Sequence, residues 1–506
     1  MKFLLALDVG TTSVKAGLFN EKGSCLATAL EEYKLITPSA DLAELDAETY
    51  WQASINTLKR VLAKSQIDRN CVAALTISSQ GETLIALDQN GTPVRNAIVW
   101  MDNRAAEQAE TLKQQLGASV YDVTGIPEVV PTWPACKILW LKQHEPDNFK
   151  RIAKFLLVQD YLVYRFTGRF ITDGSISCTT LYFDIIQHAW WKKALDAIGI
   201  SEHQLPSIQK AGSIAGRINV EVAKELAINP DLSVVCGGMD QCVGAIGAGN
   251  IDEGVVSETT GAALAMQVTI RNPMIDPTRL TPVYVHSVDG RYLLVPVCPT
   301  AGMTFKWFKD NFVVSEEESD SNVDYYEKMN VLSARVPAGC EGLVMLPHLM
   351  GAFSPESNPS ARGSFTGFTL HHRKDHFVRA IQEAVAFMLR QNIEAVRKAG
   401  IHVSEVRTSG GASRSEIWNQ IKASVCHLPI IRLQNEDTGL VGDAILGGVA
   451  TGVFPSIQSA CSIMVQVAEL VDPDQSAAEY EQYYQRYIDL NGALGDYFVR
   501  AYSGGQ

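Results

Sequence analysis

The chain opens on an apolar run, Phe3 to Leu7, that breaks at Asp8-Val9-Gly10-Thr11-Thr12-Ser13 and resumes from Val14 to Phe19 before Asn20-Glu21-Lys22-Gly23 turns it again. Short apolar runs bounded by polar, glycine-containing turns predict strands, so the opening reads as a three-strand meander around a polar turn. From about Ala47, Trp51, Ile55, Leu58 and Leu62 recur at helical spacing, and Ala73 to Ile77 predicts the next strand. Strand, helix and strand in succession imply an α/β layer arrangement.

Near the middle the pattern starts again. Val255-Val256 and Leu264 to Val268 predict strands on either side of a second polar turn, Ser257-Glu258-Thr259-Thr260-Gly261. Strands follow at Val283 to Val285 and Leu293 to Val297, then a long helix from Phe377 to Ala399 with Ile381, Val385, Met388 and Val396 on one face and Gly400 as its stop. Two halves that each begin with a polar hairpin predict a duplicated domain, the two turns facing each other across a cleft. The N-terminal domain is placed at residues 1–247 and the C-terminal domain at 248–506. The stripe Tyr480, Tyr483, Tyr484, Tyr487 and Ile488 reads as a helix packing face, and His371-His372, without a third ligand nearby in sequence, predicts no metal.

Composition narrows the class. A chain of 506 residues with 46% hydrophobic and 20% charged content buries more than one core's worth of apolar surface. The net charge of −13 offers no basic face to a phosphodiester backbone, which argues against a nucleic-acid partner. Ten cysteines are scattered without a CxxC pair, the pattern of reduced, buried thiols. Asp8 and Gly10 cut the first apolar run too short for a signal peptide, and no stretch approaches the ~20 apolar residues of a membrane span. A cytoplasmic protein with no membrane contact is predicted.

Three segments carry candidate chemistry. The Asp8 to Ser13 turn offers backbone N–H groups and hydroxyls to an anion and a carboxylate to a hydrated metal; the alternative is an ordinary hairpin. Lys15, two residues on, is either a phosphate contact or a solvated strand residue. In Thr408-Ser409-Gly410-Gly411-Ala412-Ser413, before a helix containing Trp418 and Ile421, the glycines let a flat ring approach the backbone. In Cys236-Gly237-Gly238-Met239-Asp240-Gln241, Asp240 follows the apolar strand Leu232 to Val235 and precedes a small-residue helix, Val243 to Gly249. Asp240 can serve as a base in a crevice, cap the helix, or do both.

Taken in order, Asp8-Val9-Gly10-Thr11-Thr12-Ser13, Trp100-Met101-Asp102-Asn103-Arg104, Gly237-Gly238-Met239-Asp240-Gln241 and Ser409-Gly410-Gly411-Ala412 through Trp418-Asn419-Gln420 resemble the FGGY carbohydrate kinases, nearest the xylulokinase (pentulose kinase) branch. Lys137-Ile138-Leu139-Trp140-Leu141, Tyr164-Arg165-Phe166-Thr167-Gly168 and Leu346-Pro347-His348-Leu349 extend the resemblance, which runs from Phe3 to about Phe454. It implies an actin-like ATPase (ribonuclease H-like) fold of two similar α/β domains, with sugar held by the first and adenosine by the second. It also implies ATP and Mg2+ as cofactors and a sugar or polyol as the partner molecule. Asp240 is then the catalytic base and Asp8 the residue that positions hydrated magnesium. Gly10, Thr11, Thr12, Ser13, Lys15, Thr260 and Gly261 meet phosphate; Gln80, Gly81, Glu82, Asp102, Arg104, Asp240 and Gln241 meet the acceptor; Gly302, Lys306, Gly410, Gly411, Ala412 and Ser415 meet the nucleotide. Phosphoryl transfer fits this set on general grounds, since it needs alignment, charge neutralisation and a group to receive a proton.

The chain departs from the pattern in places. Where the xylulokinase branch reads Gln-Met-His-Gly, this sequence has Gln80-Gly81-Glu82-Thr83, and the Glu-Thr pair is similar to glycerol kinase. A carboxylate accepts hydrogen bonds from two hydroxyls, which suits a polyol or ketose. Gly261-Ala262 replaces Gly-Thr, removing one hydroxyl worth about 0.5–1.5 kcal/mol; Ser424 and Asp443 stand where Asp and Ala are common. Rival readings are a non-catalytic ATP or sugar sensor of the same fold, a kinase for glycerol or erythritol, and an ATPase or phosphatase that uses water. The sequence leaves open which sugar is used and whether the chain forms a homodimer.

Overall fold

In the computed structural model, which describes residues 1–273, 278–314 and 324–502, Phe3–Val9 lies inside a six-stranded sheet. Ser13–Asn20 runs antiparallel on one side of it and Cys25–Glu32 antiparallel beyond. On the other side Val72–Ser79 and then Ser233–Met239 run parallel, and Ile214–Arg217 closes the edge antiparallel. The central strands are apolar almost throughout because both faces are covered. Helix Ala47–Ser65, capped by Asp46, buries Trp51, Ile55, Leu58 and Leu62 as the periodicity predicts.

A second sheet repeats this order. Gly254–Thr260 pairs antiparallel with Leu264–Ile270, which pairs antiparallel with Val297–Cys298. Gly254–Thr260 also runs parallel to Val403–Ser409, Ile430–Leu433 lies parallel beyond, and Val467–Val471 closes the edge antiparallel. The duplication inferred from two polar hairpins is thus present in six corresponding strands, the second sheet having eight in all. The strand expected over Leu293 to Val297 is instead two short ones, Tyr292–Leu294 and Val297–Cys298, with Pro296, which has no N–H to donate, between them.

The two compact units are not consecutive halves of the chain. The first comprises Met1–Ile251, Ile270–Leu293 and Asp437–Gln466; the second comprises Asp252–Thr269, Leu294–Glu436 and Val467–Gln506. The division expected after residue 247 falls close to the first crossing, but two later segments return to the first unit. Helix Thr438–Ala450 returns because it fits against helix Asp240–Gly247 at backbone distance. A Cβ on Gly247 would lie 1.8 Å from the Thr438 carbonyl oxygen, and one on Gly442 would lie 2.0 Å from that of Val243.

In the second unit, helix Lys374–Lys398 buries Ile381, Val385, Met388 and Val396 and ends just before Gly400, at φ 87°. Tyr480, Tyr484 and Tyr487 of helix Ala477–Tyr502 pack around Phe387, so the tyrosine stripe is a packing face. All ten cysteines are unpaired, and only Cys25 and Cys71 escape full burial. Among the described residues no helix is long and apolar enough to cross a membrane.

Candidate active site

Asp8 sits one residue from the end of its strand, where the chain stops being apolar. The turn that follows is closed by Gly10 N–H donating to the Ser13 carbonyl (2.9 Å), and Tyr33 N–H donates to the Thr12 carbonyl (2.9 Å). Burial pushes the Asp8 carboxyl up to about 6; Asp437 adds to the rise, while Lys15 and the Ser78 hydroxyl oppose it. Lys15, on strand Ser13–Asn20 with its side chain partly exposed, pairs with Asp437. Asp8 Oδ1 is buried without a hydrogen-bond partner. An unsatisfied carboxylate oxygen in an otherwise closed turn is a suitable donor to a hydrated divalent cation.

Asp240 is the first residue of helix Asp240–Gly247, with Met239 as the N-cap. Its Oδ1 accepts from Gln241 N–H at 2.7 Å, but no side chain caps the helix, so Asp240 is not the helix cap that the sequence offered as one alternative. Burial pushes this carboxyl up to about 7, reinforced by the charge of Asp8 and opposed by the Gln241 bond. The glycines before it are required: Gly238 has φ 125°, and a Cβ on Gly237 would lie 2.4 Å from Asp443 Oδ1. Gln159 accepts from Gly238 N–H (2.5 Å), and Ser175 Oγ accepts from Met239 N–H (3.1 Å), fixing the strand end that carries the acid.

Asp443 has a structural account that the sequence did not supply. It is fully buried on helix Thr438–Ala450, and its Oδ2 accepts from the Ser78 hydroxyl at 2.8 Å. Burial and the neighbouring Asp8 hold its carboxyl well above the ordinary aspartate range. Ser424, the other departure, donates to Asp474 Oδ1 (2.9 Å) and accepts from Asp474 N–H (3.2 Å), fastening the segment that leads into the last helix.

The expected acceptor wall divides into two parts. Glu82 occupies a tight turn at φ 58°, and its carboxyl is pushed up to about 8 by burial, then by Asp240, against the pull of Lys137. Gly81 beside it leaves only 3.0 Å between a Cβ position and Thr179 Oγ1. Gln80 is buried, with Oε1 accepting from the Thr11 hydroxyl (2.8 Å) and Nε2 donating to Tyr50 (3.2 Å); Trp100 Nε1 donates to Thr11 (2.9 Å). Thr11 therefore ties the Asp8 turn to this wall. Gln241 adds an unpartnered, buried Oε1. Asp102 and Arg104 are engaged with each other, Asp102 also accepting from Ala43 N–H (2.7 Å) and Arg104 also binding Glu44 (2.7 Å). Burial raises the Asp102 carboxyl, but the Arg104 guanidinium and the backbone N–H groups of Ala43 and Arg104 together outweigh it and hold the group below its usual value. This pair braces the loops on which the wall stands.

Two residues of the first unit escaped the sequence reading. Lys137, fully buried on helix Pro134–His144, donates to the carbonyls of Val99 (3.0 Å), Glu82 (3.3 Å) and Trp100 (3.3 Å). Its three protons are spent on the backbone of both wall loops, and burial pushes it down to about 7 against the attraction of Glu82 and Asp102. Tyr284, buried on strand Val283–Val285, lies within electrostatic range of Glu82 and Asp240. Lys137 stood within a recognised motif; nothing in the sequence marked Tyr284.

The second unit has its own cavity, about 500 Å³, a size suited to a nucleoside. Thr260, Gly261, Gly302, Lys306, Gly411, Ala412 and Ser415 line it, with Tyr326, Asn330 and Trp418 adding rings and an amide. Gly410 is not part of the lining; at φ 82° it turns the chain into it. Gly302 must be glycine, since a Cβ there would lie 2.2 Å from the Gly261 carbonyl oxygen. Ala262, where a hydroxyl is missing, accepts from Ala301 and Met303 N–H (2.9 and 3.0 Å) and so anchors the start of helix Gly302–Phe308. Thr260 donates to Glu258 (2.8 Å) and accepts from Lys422 (3.0 Å), and Lys422 bonds Glu258 at 2.5 Å with both side chains fully buried. This ion pair beneath the turn was not foreseen, because its members lie 164 residues apart.

Comparison with known proteins matches two consecutive stretches of the chain, whereas the compact units interleave. Residues 3–247 match the N-terminal domain of the FGGY family of carbohydrate kinases, and residues 258–451 match its C-terminal domain. The chain is 29% identical over 502 residues to a xylulose kinase of Bacillus subtilis strain 168, covering 98% of this chain and 99% of that protein. It is 28% identical over 502 residues to a gluconokinase of the same strain, covering 98% and 97%. A crystal structure of ligand-bound xylulose kinase from Lactobacillus acidophilus superimposes with a TM-score of 0.90 at 26% identity, covering 99% of both chains. With its repeated actin-like sheets and the acidic cluster around Asp240, the chain belongs to the FGGY family of carbohydrate kinases, which transfer a phosphoryl group from ATP to a sugar hydroxyl.

Proposed function

We propose that this kinase phosphorylates a neutral ketose of the pentulose class, such as xylulose, with Asp240 receiving the proton of the attacking hydroxyl. The observation that carries the reading is the Asp240 carboxyl itself, buried, pushed up to about 7 and coupled to Asp8. A base with a value near the working pH is ionised often enough to accept a proton and basic enough to hold it. Glu82 and Gln241 offer oxygen atoms to sugar hydroxyls beside it, and Lys137 holds the Glu82 turn in place. The second-unit cavity would take adenosine. Asp8 would hold Mg2+ through water, and the ion would neutralise charge on the phosphates.

The gluconokinase relative makes gluconate the main competitor. Its carboxylate, set among Asp8, Glu82, Asp240 and Asp443, would push these carboxyls up further and leave Asp240 protonated, and so idle as a base, at neutral pH. A neutral ketose adds no such charge.

ADP release tests the assignment with D-xylulose, L-xylulose, ribulose, gluconate, glycerol and erythritol in turn. A pentulose should give the highest kcat/KM, and Asp240→Asn should lower kcat by about 10²–10⁴-fold, the usual worth of a general base. Preference for gluconate or a polyol would overturn the substrate class. Sugar-independent ADP release would show water to be the acceptor, and binding without turnover would identify a sensor.

A further inference from the structure

Away from both regions, in the second unit, Glu341, His371 and His376 bring one carboxylate oxygen and two imidazole nitrogens within 4.8 Å of one another. The two further ligands that the sequence seemed to lack for His371 come from separate places. Glu341 arrives from the turn Ala338–Gly342, where it and Cys340 adopt φ 54° and 51°, and His376 from the first turn of helix Lys374–Lys398. Non-glycine residues rarely adopt such angles, and two in succession give that turn an unusual path.

The separations suit a shared ion. Glu341 Oε2 is 2.8 Å from His371 Nε2 and 3.6 Å from His376 Nε2. Ligands bonded at about 2.0–2.1 Å to one tetrahedral ion lie about 3.4 Å apart, so small side-chain rotations suffice. His376 is 7% exposed, and its Nδ1 lies 2.8 Å from Asp375 Oδ1. A proton on Nδ1 shared with Asp375 leaves the Nε2 lone pair facing Glu341, the outer arrangement typical of metal-binding histidines. The competing use of Nδ1, accepting from Arg373 N–H at 3.2 Å as a helix cap, puts the proton on Nε2, where Glu341 is too far to receive it. His372 is no ligand, because Thr369 N–H donates to its Nδ1 (2.9 Å) and its Nε2 lies 3.2 Å from the Cys340 carbonyl. It instead ties the His371 loop to the Glu341 turn, holding two of the three ligands in register.

We propose that Glu341, His371 and His376 bind a divalent transition cation of the zinc class, with water in the remaining position. Two imidazoles select such ions over magnesium, which prefers oxygen alone, so the site is chemically separate from the magnesium handled by Asp8. Binding would join the Ala338–Gly342 turn to the start of helix Lys374–Lys398.

The test is titration of the chelator-treated, tag-free full chain with Co2+, followed by its visible absorption, and then displacement with Zn2+. Saturation at one equivalent, reversed by Zn2+ and weakened at least about tenfold in both His371→Ala and Glu341→Gln, is the expected result. Both side chains are exposed, so the variants should fold and keep their Mg-ATP kinase activity, which serves as the control. Absence of saturable binding, or equal binding by the variants and the parent chain, would overturn the proposal.

Discussion

At the scale of single residues, the acidic site is governed by burial more than by neighbouring charge. Burial is the largest influence on Asp8, Glu82, Asp240 and Asp443, and each is raised. For Asp240 the functional sign follows directly: a base works when deprotonated, so kcat/KM should rise with pH and level off above about 7. The stability sign is opposite. The folded state holds this proton more tightly than the unfolded chain, so the associated stability is complete below the ordinary value of 3.8 and is lost as pH rises to about 7. A pH–rate profile checks the first point, and a limb falling only near pH 4 would show that Asp240 is not the base. Asp240 was singled out through the family resemblance, since by itself an acid after a Gly-Gly strand end reads equally well as a helix cap. Glu82 was named from the resemblance, but the sequence could not show that burial and the neighbouring Asp240 push its carboxyl up to about 8, where it can donate as well as accept. Lys137 could not be weighed from sequence, since its importance comes from three carbonyls on two separate loops.

Between elements, position depends on close backbone approach. Periodicity and turn residues revealed both hairpins and the helices at Ala47–Ser65 and Lys374–Lys398, because each buries one face along its own length. They could not reveal that helix Thr438–Ala450 rejoins the first unit, because that contact is written in small residues whose partner lies about 200 positions earlier. The contact has a cost when disturbed. Gly442→Ala places a methyl 2.0 Å from the Val243 carbonyl, so the helix that begins with Asp240 must move. Overpacking of this kind destabilises by about 1–3 kcal/mol, and a shift of about 1 Å at a reacting group can cost about 10²-fold in rate. Thermal unfolding and kcat should therefore fall together in Gly442→Ala, whereas Gly452→Ala, in an open turn, should leave kcat unchanged. A Gly442→Ala protein with parental kcat and melting temperature would show that the two helices have slack the packing does not suggest.

Across the whole molecule, each unit carries its own sheet and its own candidate ligand region, so each ligand should leave a local signature. Ordering by a ligand lowers the opening of the backbone it touches, and hydrogen exchange reads that opening segment by segment. ADP alone should protect Gly302–Phe308 and residues 411–418, which line the second-unit cavity. A pentulose alone should protect residues 80–84 and 237–241, where Glu82 and Asp240 lie. Protection of residues 411–418 by sugar without nucleotide, or of residues 80–84 by ADP without sugar, would reverse the assignment of ligands to units even if the enzyme turned over a pentulose. Zn2+ should give an independent third pattern, confined to Ala338–Gly342, residues 369–372 and the first turn of helix Lys374–Lys398, because its ligands belong to neither of the other two segment sets.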